Sequence, residues 1–206
     1  MSNVRRMRIV LVGLIGLFLS HLASATTFAE VTVSELYEES EIVIYAKIES
    51  GNILKNDCGV EYAARISETF KSGLKSGELV WFQGLGPTQI GEQYVLFLSP
   101  VQKEFRSIAS TNSRDMKTRS DYLARCGDSR PKYVVNLFGN GALKFISTSN
   151  ADVRHAVIID NVVVVPPENL KVTKLGTYQR YDNDRNDTAL DADEFLKYMR
   201  GLANRH

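Results

Sequence analysis

The chain has 206 residues, 25 Lys and Arg against 24 Asp and Glu, and a formal charge of +1. A balance this even excludes the basic footprint that a nucleic-acid binder needs. Two cysteines and 44% hydrophobic residues describe an ordinary globular chain, long enough to bury a core without metal staples.

The first 25 residues read as a secretory signal peptide. Arg5, Arg6 and Arg8 form a basic start, Ile9 to Leu19 an apolar stretch, and Ala23-Ser24-Ala25 a small-residue cleavage site. The apolar stretch is far shorter than the ~20 residues that a membrane-spanning helix requires. Cleavage would make Thr26 the first mature residue and, because the leader carries three Arg and no acid, would change the formal charge to −2. A lipoprotein would need a cysteine at that position, so the expected product is soluble, periplasmic or secreted, with no span left after cleavage. Cysteines in exported chains pair, and Cys58 and Cys126 have neither a CxxC partner nor a nearby His, so a structural disulfide is expected between them.

In chain order, Ser34 to Glu39 predicts a short helix capped by Ser34. Ile42 to Ile48 predicts a strand with Ile42, Ile44, Ala46 and Ile48 on one face. A turn-rich link from Gly51 to Gly59 leads to a second long strand. Here Val60, Tyr62, Ala64, Ile66 and Phe70 are expected on one face and Glu61, Arg65 and Thr69 on the other. After a break at Lys71 to Gly77, Glu78 to Phe82 predicts a third strand. A loop opens at Gly84 and ends near Gly91, and Gln93 to Leu98 is apolar enough for burial on both faces.

Residues 111–131 are polar, with one helical turn expected at Asp121 to Arg125 beside Cys126. A second β-rich stretch runs from Lys132 to Pro166. It comprises Tyr133 to Leu137, a turn at Gly139-Asn140-Gly141, Ala142 to Ile146, and a tight hairpin of Ala156 to Ile159 with Val162 to Val165 about Asp160-Asn161. An acidic loop, Tyr181 to Thr188, precedes a final helix from Ala192 to Leu202. Three segments are expected: the leader (1–25), one β domain with a β-hairpin extension (26–180), and the acidic loop with the C-terminal helix (181–206). Spaced strands divided by Gly and Pro give a mainly β barrel or sandwich.

Three ordered pieces carry a family resemblance: Ser40-Glu-Ile-Val-Ile-Tyr-Ala-Lys-Ile48, Tyr62-Ala-Ala-Arg-Ile-Ser-Glu-Thr-Phe-Lys-Ser-Gly73 and Gly91-Glu-Gln-Tyr-Val-Leu-Phe-Leu98. Together they resemble the netrin-like fold of the tissue inhibitors of metalloproteinases (TIMP-like), and more closely bacterial secreted proteins built on that fold. The resemblance covers about 60 residues and implies a five-stranded OB-like barrel with a helix packed against it. In the animal inhibitors an N-terminal Cys chelates the protease zinc through its amine and carbonyl. This chain has no Cys before Cys58, so no inhibitory residue carries over and the resemblance implies fold without activity.

No linear catalytic motif is present, among them GxSxG, HExxH, Walker A and GxGxxG. Of three His, His21 lies in the leader and His206 ends the chain. His155, beside a predicted strand, reads as a surface residue rather than a general base, and no enzyme activity or cofactor is expected. Asn183 to Phe195 can be laid on an EF-hand loop with Asp187, Asp191 and Glu194 at ligand positions. Arg185 at the third position and Thr188 at the sixth oppose calcium, however. Asp191 with Glu194 three residues on is also a capping box for the last helix, and that reading is preferred. Asn186-Asp-Thr188 has the form of a glycosylation sequon.

Among the aromatics, Tyr45, Trp81 and Phe82 could serve a binding face. Trp81 and Phe82 are adjacent on a strand, so they point to opposite faces. The expected function is a non-enzymatic interaction module for a protein or envelope component. One alternative is protease inhibition through Thr26, Thr27, Phe28, Leu85 and Pro87, which lie at an exposed terminus and a loop tip. The other is a calcium-responsive module.

Overall fold

The computed structural model describes residues 30–55, 58–84, 88–101, 126, 131–147, 155–159, 163–177 and 186–205. The leader expected at residues 1–25, the helical turn expected at Asp121 to Arg125, and the contact candidates Thr26, Thr27, Phe28, Leu85 and Pro87 lie outside them.

The first elements are β1 (Val31–Thr32) and helix α1 (Val33–Glu39). Thr32, not Ser34, is the cap. Its side chain accepts a 3.1 Å bond from Glu35 N–H, and the Glu35 carboxylate accepts a 2.8 Å bond from Thr32 N–H. This reciprocal pair needs a carboxylate three residues after the cap; Thr32 has Glu35 there, whereas Ser34 has Tyr37. At the other end, Lys71 Nζ donates to the carbonyls of Tyr37 and Glu38 at 2.9 and 2.8 Å, serving two orphan acceptors.

Five strands follow: β2 (Ile42–Ile53), β3 (Val60–Lys71), β4 (Leu79–Gly84), β5 (Gln93–Pro100) and β6 (Tyr133–Val135). They are hydrogen-bonded in the order β5-β2-β3-β4-β6, and the β5–β6 pairing closes the ring. All these pairs are antiparallel except β4–β6, where Phe82 and Gln83 lie parallel to Tyr133 and Val134. A closed barrel whose third and fifth strands run parallel is OB-like in topology.

The expected alternation of β2 holds. Ile42, Ile44, Ala46 and Ile48 are buried in the barrel with Ala64, Ile66, Val80, Phe82, Leu96 and Leu98. Val43, on the opposite face of the same strand, enters a second core with Val95 and Phe97 of β5. Strand β5 is therefore apolar on both faces because it separates two cores, as its sequence predicts. Phe70 departs from expectation: it joins the second core while Ile66 stays in the barrel. The cause is the register shift at Tyr45/Ala46, which falls between Ile66 and Phe70 and turns the side chains after it to the other face; Phe70 itself sits in the next shift, at Val43/Ile44.

After β6 the chain leaves the barrel through a turn at Leu137–Gly139. Asn136 N–H donates to Phe97 O at 3.0 Å, and Phe97 N–H donates to Gly141 O at 2.9 Å, so one residue of β5 anchors both ends of the turn. Strand β7 (Ala142–Ser147) then takes the stretch of the β5 edge that β6 leaves open, pairing with Tyr94 to Leu96. Beyond it lie β8 (His155–Ile159), β11 (Asn186–Asp191) and β10 (Val172–Thr177), with β9 (Val164–Val165) apart.

The hairpin expected between 156–159 and 162–165 is not formed. β8 pairs with β7 and β11, and β9 instead pairs in parallel with β1. Local turn chemistry suggested the hairpin, but β8 buries both faces. Val157 and Ile159 enter the second core, while Ala156 packs against Ile146 and Ala189, an arrangement that requires a neighbour on each edge. The acidic loop also ends earlier than expected, because Asn186 to Thr188 already belong to β11. The extension is thus a four-stranded layer in which β7 joins the barrel.

Helix α2 (Ala192–Ala203) closes the second core. Its Phe195, Met199 and Leu202 are buried with Val33, Leu36 and Tyr37 of α1 and Leu190 of β11. Asp191 caps it, its Oδ1 accepting 3.0 Å bonds from the N–H groups of Asp193 and Glu194. The predicted disulfide is present: Cys58 and Cys126 are bonded, with 5.7 Å between their Cα atoms.

Candidate functional site

Opposed residues on paired strands share a face, so the registers of β2, β3 and β4 lay out the barrel's outer surface as three rows. These are Lys47–Arg65–Leu79, Ser50–Ala63–Trp81 and Asn52–Glu61–Gln83. Trp81 is 43% and Leu79 41% exposed, two residues apart on one strand, while Phe82 faces inward and is fully buried. The two faces expected for Trp81 and Phe82 are therefore confirmed. Tyr45 lies elsewhere: it packs on Phe145 with ring centroids 4.8 Å apart, beside the second core.

The polar groups around Trp81 are held in place. Arg65 makes a two-pronged contact with Glu49, through Nε to Oε1 and Nη2 to Oε2, and its Nη1 donates to Gly77 O at 2.9 Å. The hydrogen bond from Arg65 holds the Glu49 carboxyl below its ordinary range, and Glu49 raises the guanidinium in turn. With its fork engaged, Arg65 frames an apolar platform.

At the far row Gln83 is only 3% exposed, and its Nε2 donates to Cys58 O at 2.7 Å. This bond ties the β2–β3 hairpin tip, and with it the disulfide, to the strand that carries Trp81. Gly59 makes the approach possible. Its φ is +96°, and a Cβ there would stand 2.8 Å from Gln83 Nε2.

The barrel mouth beside this face is covered by Tyr62, which stacks on Phe82 with centroids 5.8 Å apart. Its ring lies over two glycines, for a Cβ on Gly84 would be 2.5 Å from the ring and one on Gly51 3.0 Å.

His155 is the exposed first residue of β8, opposite Ser147 of β7. With Lys47, Glu92 and Gln93 it lines a polar cleft of about 300 Å³ between barrel and outer layer. Lys144 donates to Gln89 there and lies 3.8 Å from Glu92. Among the described residues, no three His, Cys, Asp or Glu side chains gather as metal ligands would. Of the calcium candidates, Asp187 lies in extended β11, Asp191 caps α2, and Glu194 is in the first turn of α2.

Strand alternation places Trp81 and Phe82 on opposite faces, and the fold decides that Trp81 is the exposed one. Leu79 follows on the face of Trp81 by the same alternation, whereas the role of Gln83 depends on its contact with Cys58, for which the sequence carries no local signal. Among the described residues no helix is long and apolar enough to cross a membrane. No protein-family model matches the chain, and no curated protein matches it.

Proposed function

We propose that this chain is an exported, non-enzymatic interaction module, related to the netrin-like fold, that engages a protein or envelope component through the outer face of β3 and β4. The observation that carries the reading is the paired exposure of Trp81 and Leu79 beside the engaged Arg65–Glu49 pair. Ligands of OB barrels dock on the face of the second and third strands, which here are β3 and β4. Half-exposed Trp within a fixed polar frame is the composition of a protein-binding hot spot. Two helices packed against one side of the barrel support the netrin-like relationship, and the buried disulfide supports folding in an oxidising compartment.

Capture of partners from an envelope extract tests the reading when wild-type protein is compared with Trp81→Ala and Trp81→Ala/Leu79→Ser at equal thermal stability. A hot-spot Trp contributes ~2 kcal/mol or more, so its removal should weaken retention of a specific partner by about thirtyfold. Equal retention by all three proteins would move the contact away from this face. Retention that depends instead on residues 26–28 or 85–87 would favour protease inhibition, which a direct inhibition assay then decides.

A further inference from the structure

Helix α2 contains a glycine that its own backbone does not require. Gly201 sits within the helix, where glycine is the poorest former after proline. A helical glycine is ordinarily explained by close packing, yet a Cβ on Gly201 would meet nothing within 4 Å. What the missing side chain does is deepen a groove of about 350 Å³ between α2 and the turn at Asn169 and Leu170.

The groove is amphipathic. Leu170 and Tyr198, both partly buried against the second core, supply its apolar floor beside Gly201. Among the described residues of the lining, Lys197 and Arg205 are the cations and Glu194, toward the opposite end of the helix, is the carboxylate. Tyr198 and Gly201 are spaced by three residues and share one stripe of the helix, and Arg205 follows just past the C-cap, Asn204. Arg205 acts electrostatically on the Tyr198 phenol and opposes the upward push of burial, which places its charge beside the floor. The volume lies within the range of small-molecule sites.

We propose that this groove binds a small carboxylate with an apolar body, its acid group at Arg205 and Lys197 and its body over Tyr198, Leu170 and Gly201. The net positive charge of the described lining residues favours an anion, and the space opened at Gly201 receives the apolar portion.

Titration with sodium octanoate, followed by amide NMR with 1-octanol as the neutral control, tests this. Saturable shifts are expected at Asn169, Tyr198, Gly201 and Arg205, with octanol at least tenfold weaker. Gly201→Phe fills the groove and should abolish the response, and Arg205→Gln should weaken it by about tenfold without altering the fold. Gly201→Ala should raise Tm by about 2–4 °C, confirming that the glycine is not kept for stability. The proposal fails if octanoate produces no saturable shift, if Gly201→Phe binds as well as wild type, or if octanol matches octanoate. Binding to phosphatidylglycerol vesicles without any response to octanoate would overturn it in favour of a membrane surface.

Discussion

At the residue scale, a few close approaches fix the barrel mouth beside the proposed binding face. Tyr62 fits only because Gly51 and Gly84 present no side chain to its ring. Gly84 φ does not lie in the left-handed region, so alanine there is penalised by contact rather than backbone strain. Gly84→Ala is therefore expected to destabilise the fold by about 1–3 kcal/mol, the usual range for overpacking. Urea unfolding of Gly84→Ala, Tyr62→Ala and the double variant provides the check. The double variant should be much less destabilised than the sum of the singles, because removing the ring removes the clash. Additive losses would mean that the ring is not what the new methyl meets. Asn136 illustrates the same economy of space: its Nδ2 donates to Ser40 Oγ at 2.7 Å, and Ser40 Oγ donates to Leu36 O at 2.6 Å. One buried polar chain thus joins the exit from the barrel to the end of α1.

At the scale of elements, magnitudes separate what docks α2 from what decorates it. Arg200 forks onto Glu68 of β3 at 2.7 and 2.8 Å, but both side chains are substantially solvated. Such a pair contributes about 0–1 kcal/mol. Phe195 is fully buried in the second core, and its truncation to alanine should cost about 3–5 kcal/mol. Chemical denaturation of Arg200→Gln and Phe195→Ala should reproduce that ranking, and the reverse order would mean that electrostatics docks the helix. The cap is a smaller increment. Asp191→Ala should cost about 1 kcal/mol, and millimolar calcium should leave the wild-type melting temperature unchanged. A calcium-dependent rise lost in Asp191→Ala would instead make the acidic segment a metal loop. The capped helix was legible because its signals are local: an Asp at the cap position, whose side chain accepts from Asp193 and Glu194 N–H, and an apolar stripe at Phe195, Met199 and Leu202. Strand β2 was legible for the same reason, its four alternating apolar residues needing no knowledge of their partners. Phe70 was not, because the bulges that turn it away depend on how β3 meets β2.

At the scale of the whole molecule, what the sequence concealed was pairing between distant segments. That β6 closes the barrel, that β7 follows it along the same edge of β5, and that β11 returns to flank β8 are contacts without a local signature. The pairing of the two cysteines was readable, because a chain with two cysteines offers one intramolecular pairing. Its structural consequence was not: the bond joins the β2–β3 tip, which Gln83 holds against the Trp81 strand, to the long connection between β5 and β6. The cysteines are 68 residues apart, and closing a loop of that length in the unfolded chain is worth about 4 kcal/mol in the chain-entropy model. Cys58→Ser/Cys126→Ser should therefore lose up to ~4 kcal/mol in urea unfolding, and reductant should bring the wild type to the same midpoint. Because the barrel core is complete without the bond, the double variant should still fold and bury Phe82. Its partner capture should fall further than its stability predicts, since the hairpin tip beside Trp81 loses its tether. A double variant that unfolds outright would make the disulfide a condition of the fold. One that captures normally would separate the tether from the proposed binding face.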